Sequence, residues 1–344
     1  MTLPSLDASP VAGAPGPARA RWGERRLLSL SPRASFLLRR LGRMLVALAL
    51  VVVATFAIIH LIPGDPVRAV LGPSAPPELA DRLRTELGLD LPIHVQFVNY
   101  VTGLFTGDLG TSVLTHRPVA DVLASRLPPT LTLAAAAFVV AALGALPIGI
   151  ATAISARHGR HRVLDLIVGG VVGFFIVLPN FLLAVGLVAV FSLGLGWFPS
   201  AGWGDLPKAV LPVLALAIGP MAYLARIVHV EMIHVLDATY LTTARSKRLP
   251  SYLIYFRHAL PNMVTAALTI GGLMLTGLVA GTVLVETIFN IQGLGMKIVE
   301  SISTKDYTMI QGVVLVYAIL VLGINLLVDL ALLAIDPRSS IAEG

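Results

Sequence analysis

Four polar side chains interrupt otherwise apolar stretches of the sequence and are the first candidates for a functional role. They are Asn180, Glu286, Asn325 and Asp329. A charged group at the centre of a membrane helix costs about 2.5–3.5 kcal/mol on insertion scales and tends to face the protein interior. We therefore predict that these residues line a translocation pathway or its gate. The alternative is that they hydrogen-bond neighbouring helices or lie at an interface.

A second polar feature is a basic segment, YLTTARSKRLPSYLIYFRHALP, which lies between two long apolar runs at residues 240–261. A compact polar surface at a membrane face is typical of a contact site for another protein. Proline disfavours a helical conformation at the residue before it, so Pro250 predicts a turn between helices over residues 231–247 and 250–258. The possible anchors of these helices are Tyr240, Leu249, Tyr252 and Tyr255. The alternative is a solvated basic loop that only fixes orientation.

The sequence carries no arrangement suited to catalysis. It has no cysteine, which excludes disulfides, thiolate metal sites and cysteine nucleophiles. It also lacks H-E-x-x-H, G-x-S-x-G and the ATP-binding loop G-x-x-x-x-G-K-[ST]. His60, His229 and His234 lie near predicted membrane edges, where packing or interfacial roles are commoner than metal ligation. We therefore predict no catalytic residue, no metal and no cofactor bound by this chain.

The elements that must position these residues are membrane helices. Charged residues make up only 13% of the chain, against about 25% in soluble proteins, and the mean hydropathy of +0.86 indicates one membrane domain. The net charge of +6 does not indicate nucleic-acid binding, because arginines concentrate just ahead of the first apolar run, where positive charge fixes orientation. They are Arg19, Arg21, Arg25, Arg26, Arg33, Arg39, Arg40 and Arg43.

Run length predicts six spans, since about 20 apolar residues cross a hydrocarbon core of roughly 30 Å. The predicted spans are residues 44–62, 131–154, 164–195, 209–224, 263–285 and 312–335. The third is long enough to tilt or to break at Pro179. The 156–162 and 226–257 loops are basic and the long 63–129 loop is not, so the positive-inside rule places both termini in the cytoplasm.

The regions outside the spans differ in character. Residues 1–40 are basic and rich in proline, alanine and glycine, which predicts a disordered cytoplasmic tail, and residues 339–344 form a short C-terminal tail. The first apolar run has no small-residue cleavage site, so we interpret it as an uncleaved span. In the 63–129 loop, start and stop signals predict a helix over 77–87. A more apolar helix over 94–105 could lie in the membrane interface.

The basic segment also carries a motif. Thr242-Thr243-Ala244, then Arg248 and Leu260-Pro261, fall on the pattern E-A-A-x-x-x-G-x9-I-x-L-P. The chain thereby resembles integral-membrane permease subunits of binding-protein-dependent ABC importers. Further motifs along residues 40–338 resemble B-type subunits of the dipeptide/oligopeptide branch. They are IPGDPV (62–67), TGDLGTS (106–112), RLPPTLTL (126–133), LPIGIATA (146–153), LPNFLLAVGLVAVF (178–191), GWFPSAGW (196–203), VLVETIFNIQGLG (283–295) and DYTMIQG (306–312).

The resemblance implies an all-α membrane protein with the type I ABC importer permease fold. Its permease domain would be residues 41–338, with six transmembrane helices and a large extracytoplasmic loop at 63–129. It would be a multi-pass protein of the bacterial cytoplasmic (inner) membrane. Its partners would be a second permease subunit, two cytoplasmic ABC ATPase subunits, an extracytoplasmic substrate-binding protein and membrane lipids, with no nucleic acid.

The resemblance also implies that the chain is not an enzyme. The partner ATPases would bind ATP and Mg and hydrolyse the ATP. The implied cargo is di- and oligopeptides, with a nickel chelate, glutathione or another small solute as alternatives. A secondary transporter would favour inverted repeats and charged relays, and an intramembrane enzyme would need a nucleophile or metal cluster at membrane depth. Neither signature is visible in the sequence.

In the family, a coupling helix of each permease enters a cleft on an ATPase. The resemblance implies that it corresponds here to about residues 240–249, within the cytoplasmic region 231–261. The implied ATPase-coupling residues are Tyr240, Thr243, Ala244, Arg245, Lys247, Arg248 and Leu249. Arg248 replaces the family's turn glycine, and a left-handed conformation costs an arginine roughly 1 kcal/mol or more. Either the turn is built differently, helped by Pro250, or Arg248 contacts an acidic site on its partner. Among the pathway candidates the resemblance favours Glu286, because VETIFNIQGLG resembles a family motif near the external side.

Overall fold

The computed structural model describes residues 32–61, 66–72, 74–158, 162–247, 250 and 253–335. Throughout these ranges the fold is helical and contains no β-strand, apart from one isolated antiparallel bridge between Thr111 and Pro118. A helix satisfies its backbone donors and acceptors within one segment, as an apolar chain in lipid requires. The predicted all-α class is confirmed.

The helices follow one another with short connections. In chain order they are α1 (Pro32–Leu61), α2 (Pro66–Leu71), α3 (Pro77–Glu86), α4 (Ile93–Thr106), α5 (Val119–His158), α6 (Arg162–Val177), α7 (Asn180–Leu187), α8 (Leu206–Asp237), α9 (Thr239–Ser246), α10 (Leu260–Ile288), α11 (Leu294–Thr304) and α12 (Tyr307–Ile335). A π-helical turn, Val188–Gly194, extends α7, and another, Ile254–Ala259, leads into α10. Helix α1 begins within the predicted N-terminal tail, whereas the predicted tail 339–344 lies outside the described residues.

Four of the described helices are long and apolar enough to cross a membrane. The qualifying segments are Val119–Ala156, Leu206–Asp237, Ile270–Ile288 and Tyr307–Ala334. They overlap the second, fourth, fifth and sixth predicted spans. The apolar run predicted as the first span lies in α1, which is 30 residues long.

The predicted third span is bent. Its two halves, Leu166–Val177 and Asn180–Gly194, meet at an angle of 105°. Pro179 lies at the break, where its ring and missing N–H prevent α6 from continuing. Of the two predicted alternatives, a tilted span or a break at this proline, the structure has the break. Counting the bent pair as one span gives five candidate spans among the described residues.

Helices α5 and α8 pack against each other at the centre of the described fold, and α10 packs against both. A Cβ at Gly149 of α5 would lie 2.5 Å from Val228 Cγ1 of α8, so a larger residue could not occupy this crossing without a shift. Small residues let helices approach closely, and close packing drives helix association in lipid. Leu133, Leu216 and Val285, one from each helix, are buried in a common cluster.

Both helices predicted in the long loop are confirmed, as α3 and α4. Each is followed by a glycine in the left-handed region: φ is 66° at Gly88 and 79° at Gly107. This conformation ends helices readily when the residue is glycine. A hydrogen bond of 3.1 Å between Thr55 Oγ1 and Tyr100 OH joins α4 to α1, so α4 packs on the end of α1.

Candidate coupling element and buried polar contacts

The segment predicted to contact an ATPase begins where α8 ends, at Asp237. Ala238 is extended, with φ of −64° and ψ of 141°, and α9 follows. The prediction of one continuous helix over 231–247 is therefore wrong. The break redirects the chain so that Leu241 of α9, which is 0% exposed, packs against the helix bundle.

Leu241 belongs to a cluster of buried apolar side chains from several helices. Helix α5 contributes Ala153, α8 contributes Met232 and Leu236, and the turn before α10 contributes Ile254. These side chains also hold α5, α8 and the start of α10 together. Because interiors are close-packed and transmit displacement, a force that moves α9 also acts on the helices beneath it.

The predicted coupling residues flank Leu241 in the sequence. Those that belong to α9 are Tyr240, Thr243, Ala244 and Arg245. Tyr240, predicted as an anchor, is 45% exposed, and the buried residue is its neighbour Leu241, which sequence reasoning missed. Lys247 is exposed directly after α9, and Arg248 and Leu249 lie outside the described residues. The exposed part of this segment is therefore available for contact.

The second helix predicted in the basic segment, over 250–258, is helical in its described residues after Pro250, and the N–H of Ile254 donates to the carbonyl oxygen of Pro250 at 3.3 Å. It does not end at residue 258. The π-helical turn Ile254–Ala259 continues directly into α10. Proline fits the first turn of a helix, where its missing N–H is not needed, so Pro261 starts α10 without breaking it. Arg257 remains exposed on this turn. Tyr252, another predicted anchor, lies outside the described residues.

Glu286 is completely buried near the end of α10, and both of its carboxyl oxygens accept hydrogen bonds. The hydroxyl of Thr130 in α5 donates to Oε1 at 2.7 Å, and the backbone N–H of Met296 in α11 donates to Oε2 at 3.0 Å. Thr130 Oγ1 in turn accepts the N–H of Leu294 at 2.8 Å. Buried polar groups are costly unless they are hydrogen-bonded, and these bonds join α5, α10 and α11.

The connection between α10 and α11 passes so close to Glu286 that glycine is required at two positions. A Cβ at Gly293 would lie 2.5 Å from the carboxyl carbon of Glu286, and one at Gly295 would lie 2.5 Å from Val283 Cα. Both glycines belong to the segment VLVETIFNIQGLG, which therefore wraps around one buried carboxyl group. In this conformation Glu286 is closed to solvent, and its role in a pathway or gate stays a prediction.

Asn180 lies at the start of α7, immediately after the bend at Pro179. A Cβ at Gly219 of α8 would lie 3.2 Å from its Oδ1, and one at Gly281 of α10 would lie 3.6 Å from its Nδ2. The amide therefore sits between α8 and α10, at a point where both neighbours are small. A polar group at such a junction suits either a pathway lining or helix packing.

Asn325 and Asp329 lie on α12, and each contacts a different helix. Thr276 Oγ1 of α10 donates a hydrogen bond of 2.6 Å to Asn325 Oδ1. Arg40 of α1 forms an ion pair with Asp329. Both contacts correspond to the helix-packing alternative. The four candidate pathway residues thus occupy distinct helix junctions with distinct partners, and their shared role in a pathway stays a prediction.

Two buried residues that sequence reasoning did not single out join distant motifs. Ser112 Oγ donates to Asp306 Oδ2 at 2.5 Å, and Asp306 Oδ1 accepts the N–H of Met309 at 3.2 Å in the first turn of α12. Ser112 ends the motif TGDLGTS, and Asp306 begins the motif DYTMIQG. The sequence shows both motifs, but no local pattern in it indicates that Ser112 contacts Asp306.

A polar cleft of about 390 Å³ lies beside this contact, between α1, α4 and the start of α12. Its polar lining includes Glu86, Gln96, Asn99, Asp108 and Gln311. Such a lining offers acceptors and amides to a partner surface. Among the described residues, no group of three or more His, Asp or Glu side chains is suited to a metal ion.

Comparison with known proteins gives consistent similarities. The profile described as binding-protein-dependent transport system inner membrane component matches residues 145–341, and the profile of the N-terminal part of such membrane components matches residues 33–134. A provisionally assigned peptide transport system permease protein of Brucella suis biovar 1 (strain 1330) is 37% identical over 312 residues, which covers 88% of this chain and 98% of that protein.

Two further similarities come from a second transport system and from a solved structure. The glutathione transport system permease protein of Salmonella choleraesuis (strain SC-B67) is 37% identical over 304 residues, with 88% of this chain and 98% of that protein covered. A crystal structure of an amino acid ABC transporter superposes with a TM-score of 0.49 at 18% identity, over 61% of this chain and 92% of that chain.

Proposed function

Because the chain belongs to the family of inner membrane components of binding-protein-dependent transport systems, we propose that it forms a translocation pathway for di- and oligopeptides together with a second permease subunit. It is a transport subunit of an ABC importer and not itself an enzyme. An extracytoplasmic binding protein delivers the peptide, and two cytoplasmic ATPases bind ATP and Mg and supply the energy. The named relatives support this cargo, since glutathione is itself a short peptide.

The observation that carries the proposal is the attachment of α9 to the bundle. Exposed Tyr240 and buried Leu241 are adjacent, so one side of α9 can contact an ATPase while the other contacts α8 and the π-helical turn before α10. Movement of the ATPases on binding ATP then displaces these helices together. Arg245, Lys247 and Arg248 provide the polar contacts, and Arg248 pairs with an acidic group of the ATPase.

The proposed topology has six spans: α1, α5, the bent α6–α7 pair, α8, α10 and α12. It places both tails and α9 in the cytoplasm and the 63–129 loop outside, within a permease domain of residues 41–338. The 30-residue length of α1 supports its assignment as the first span, since about 20 residues suffice. The binding protein docks on the outer loop, where the polar cleft offers hydrogen-bonding groups.

In this arrangement the four candidate pathway residues lie at helix junctions that change during transport. Asn180 sits between α8 and α10, and Asn325 and Asp329 link α12 to α10 and α1. Glu286 links α10 to α5 and α11. When the pathway opens, some of these contacts separate and expose polar groups to the peptide. Glu286 is the first candidate for a gate near the outer side.

The proposal is tested by purifying a tagged copy of the chain, expressed with its native operon, in mild detergent. We expect mass spectrometry to identify a second permease and one or two kinds of ABC ATPase in the same preparation. Vesicles that contain this complex, the binding protein and internal ATP should accumulate a radiolabelled dipeptide. A catalytically inactive ATPase is the matched control and should abolish the accumulation.

The outcomes separate the alternatives. If glutathione or a nickel chelate accumulates and dipeptides do not, the importer class stands and the peptide assignment fails. If the chain is repeatedly recovered without any ATPase, the energy-coupling proposal fails and a secondary transporter becomes the better explanation.

A further inference from the structure

Helix α4 has an unusual surface for a segment of an extramembrane loop. None of its 14 residues is buried in the described structure, and none is Asp, Glu, Lys or Arg. Large apolar side chains are nevertheless widely exposed on it: Ile93 by 56%, Val98 by 59% and Phe105 by 88%. Exposed apolar patches of this kind mark contact with a membrane or with another protein.

The neighbouring helix α3 shows that apolarity is not general to this loop. Half of its ten residues are charged: Glu78, Asp81, Arg82, Arg84 and Glu86. Helix α3 is therefore suited to water, whereas α4 is suited to an apolar surrounding. The contrast between a charged helix and an apolar one indicates that the loop has a side that faces water and a side that faces an apolar surrounding.

Contacts with α1 fix where α4 lies along that helix. Phe56 and Phe97 meet edge to face with ring centroids 5.1 Å apart, beside the hydrogen bond between Thr55 and Tyr100. Thr55 is six residues from the end of α1 at Leu61, or about 9 Å along the helix axis. An interfacial helix buries its apolar face roughly 5–10 Å into the boundary between headgroups and acyl chains.

The two helices enclose a groove of about 460 Å³, lined by Val53, Phe56, Ala57, His60, Ile93 and Phe97. It opens beside Val53, which is 52% exposed. The apolar surface continues down α1 through Leu50 and Val46, exposed by 65% and 62%. The groove is therefore continuous with the flank of α1 that faces lipid in the proposed topology.

We propose that α4 is an interfacial helix seated in the outer leaflet of the membrane, with phospholipid acyl chains in the groove between α4 and α1. The apolar side of the external loop then holds the loop against the bilayer, and the charged helix α3 faces water. This inference rests on the proposed topology only in taking the Leu61 end of α1 as the outer boundary of the membrane. It does not depend on the identity of the transported solute.

Site-directed spin labels test the inference cleanly, because the chain contains no native cysteine. Single variants Val98→Cys and Phe105→Cys report on α4. Leu79→Cys on α3, where Leu79 is 49% exposed, is the matched control in water, and Leu50→Cys on α1 is the control in lipid. The complete importer is labelled and reconstituted into vesicles of phosphatidylethanolamine and phosphatidylglycerol in equal parts.

The measurement compares collision of each label with oxygen, which enters lipid, and with a water-soluble nickel chelate. We expect the Val98 and Phe105 labels to favour oxygen, as Leu50 does, and the Leu79 label to favour the nickel chelate. Preference for the nickel chelate at Val98 and Phe105, with Leu50 in lipid, would overturn the inference and leave the topology intact. Low access of both reagents at these positions would also overturn it and would indicate a protein partner. If Leu50 itself favours the nickel chelate, the assignment of α1 as a span fails, and the inference fails with it.

Discussion

At Glu286, two segments that lie 156 residues apart meet in one buried hydrogen-bond network. The side chain is the only charged group in α10 from Leu260 to Ile288, and its acceptors are used by Thr130 and Met296. A carboxyl group in this position has two possible roles. It can hold three helices together, or it can hold a closed gate that opens during transport.

Substitutions at Glu286 distinguish these roles. Glu286→Ala leaves the Met296 N–H without its acceptor and leaves the Thr130 hydroxyl only the Arg126 carbonyl oxygen, 3.4 Å away. A buried donor left unsatisfied costs about 1–3 kcal/mol. We therefore expect the importer carrying Glu286→Ala to unfold at a lower temperature in detergent, measured by thermal denaturation. Glu286→Gln keeps one carbonyl acceptor and should lose less stability.

The matched control is Thr287→Ala, which removes an exposed hydroxyl that bonds only within its own helix. If Glu286→Ala is as stable as this control, the network does not support the fold. Uptake measured on Glu286→Gln then assigns the role: loss of transport with retained stability indicates a gate, whereas transport that follows stability indicates helix packing.

The sequence identified Glu286 as a candidate but could not identify its partners. A charged residue in an apolar run stands out locally, so it is found without structural information. Thr130 lies in a different span, and threonine is unremarkable there. Ser112 and Asp306 were missed for the same reason, because their pairing depends on how α12 packs against the segment before α5.

Among the helices, α9 has the clearest mechanical consequence. Its buried residue, Leu241, is 0% exposed, and truncation of a buried leucine to alanine costs about 2–5 kcal/mol. Since each 1.4 kcal/mol changes an equilibrium about tenfold, we expect Leu241→Ala to weaken the docking of α9 by about 25-fold or more. ATPases should still co-purify and hydrolyse ATP, but peptide uptake per ATP hydrolysed should fall.

Leu143→Ala is the matched control, because Leu143 of α5 is 68% exposed and its truncation leaves the buried cluster unchanged. Uptake and ATP hydrolysis are measured on the same reconstituted vesicles for both variants. If Leu241→Ala takes up as much peptide per ATP hydrolysed as the control, α9 does not transmit force through this side chain. If the Leu241→Ala complex cannot be purified, the milder Leu241→Val applies the same comparison.

Some breaks between helices could be predicted from the sequence and others could not, for physical reasons. The bend at Pro179 was predictable, because proline disrupts a helix through its own covalent structure. The break at Ala238 was not, because alanine favours helix and the extended conformation there is compensated by burial of Leu241 in tertiary contacts. The helix predicted over 250–258 is present in the described residues, but its continuation through the π-helical turn into α10 was not predictable, because it depends on the burial of Ile254 and Ala259 in tertiary contacts.

For the whole molecule, composition and run length were sufficient to predict the helical class and the position of most apolar segments. An apolar chain has few ways to satisfy its backbone in lipid, so this level of structure follows from sequence. The number of spans does not follow as directly. Four helices of the described chain qualify as spans by themselves, and α1 and the bent α6–α7 pair decide the total.

The number of spans can be tested, because it determines on which sides of the membrane the two ends and the long loop lie. If α1 and the bent pair each cross the membrane, the chain has six spans and its two ends lie on the same side. If only one of them crosses, the chain has five spans and the ends lie on opposite sides. If neither crosses, the chain has four spans, and both ends and the long loop lie on one side. Single-cysteine variants Ser9→Cys and Ser340→Cys report on the two ends, and Ser74→Cys reports on the long loop.

We expect a membrane-impermeant maleimide to label Ser74→Cys in intact spheroplasts and to leave both terminal variants unlabelled until the membrane is disrupted. The basic residues ahead of the first apolar run favour this orientation, because positive charge is retained on the cytoplasmic side. Labelling of one end but not the other would show an odd number of spans. In that case the side on which residue 74 lies would identify the segment that fails to cross. If residue 74 and the N-terminus lie on the same side, α1 does not cross. If they lie on opposite sides, the bent pair does not cross.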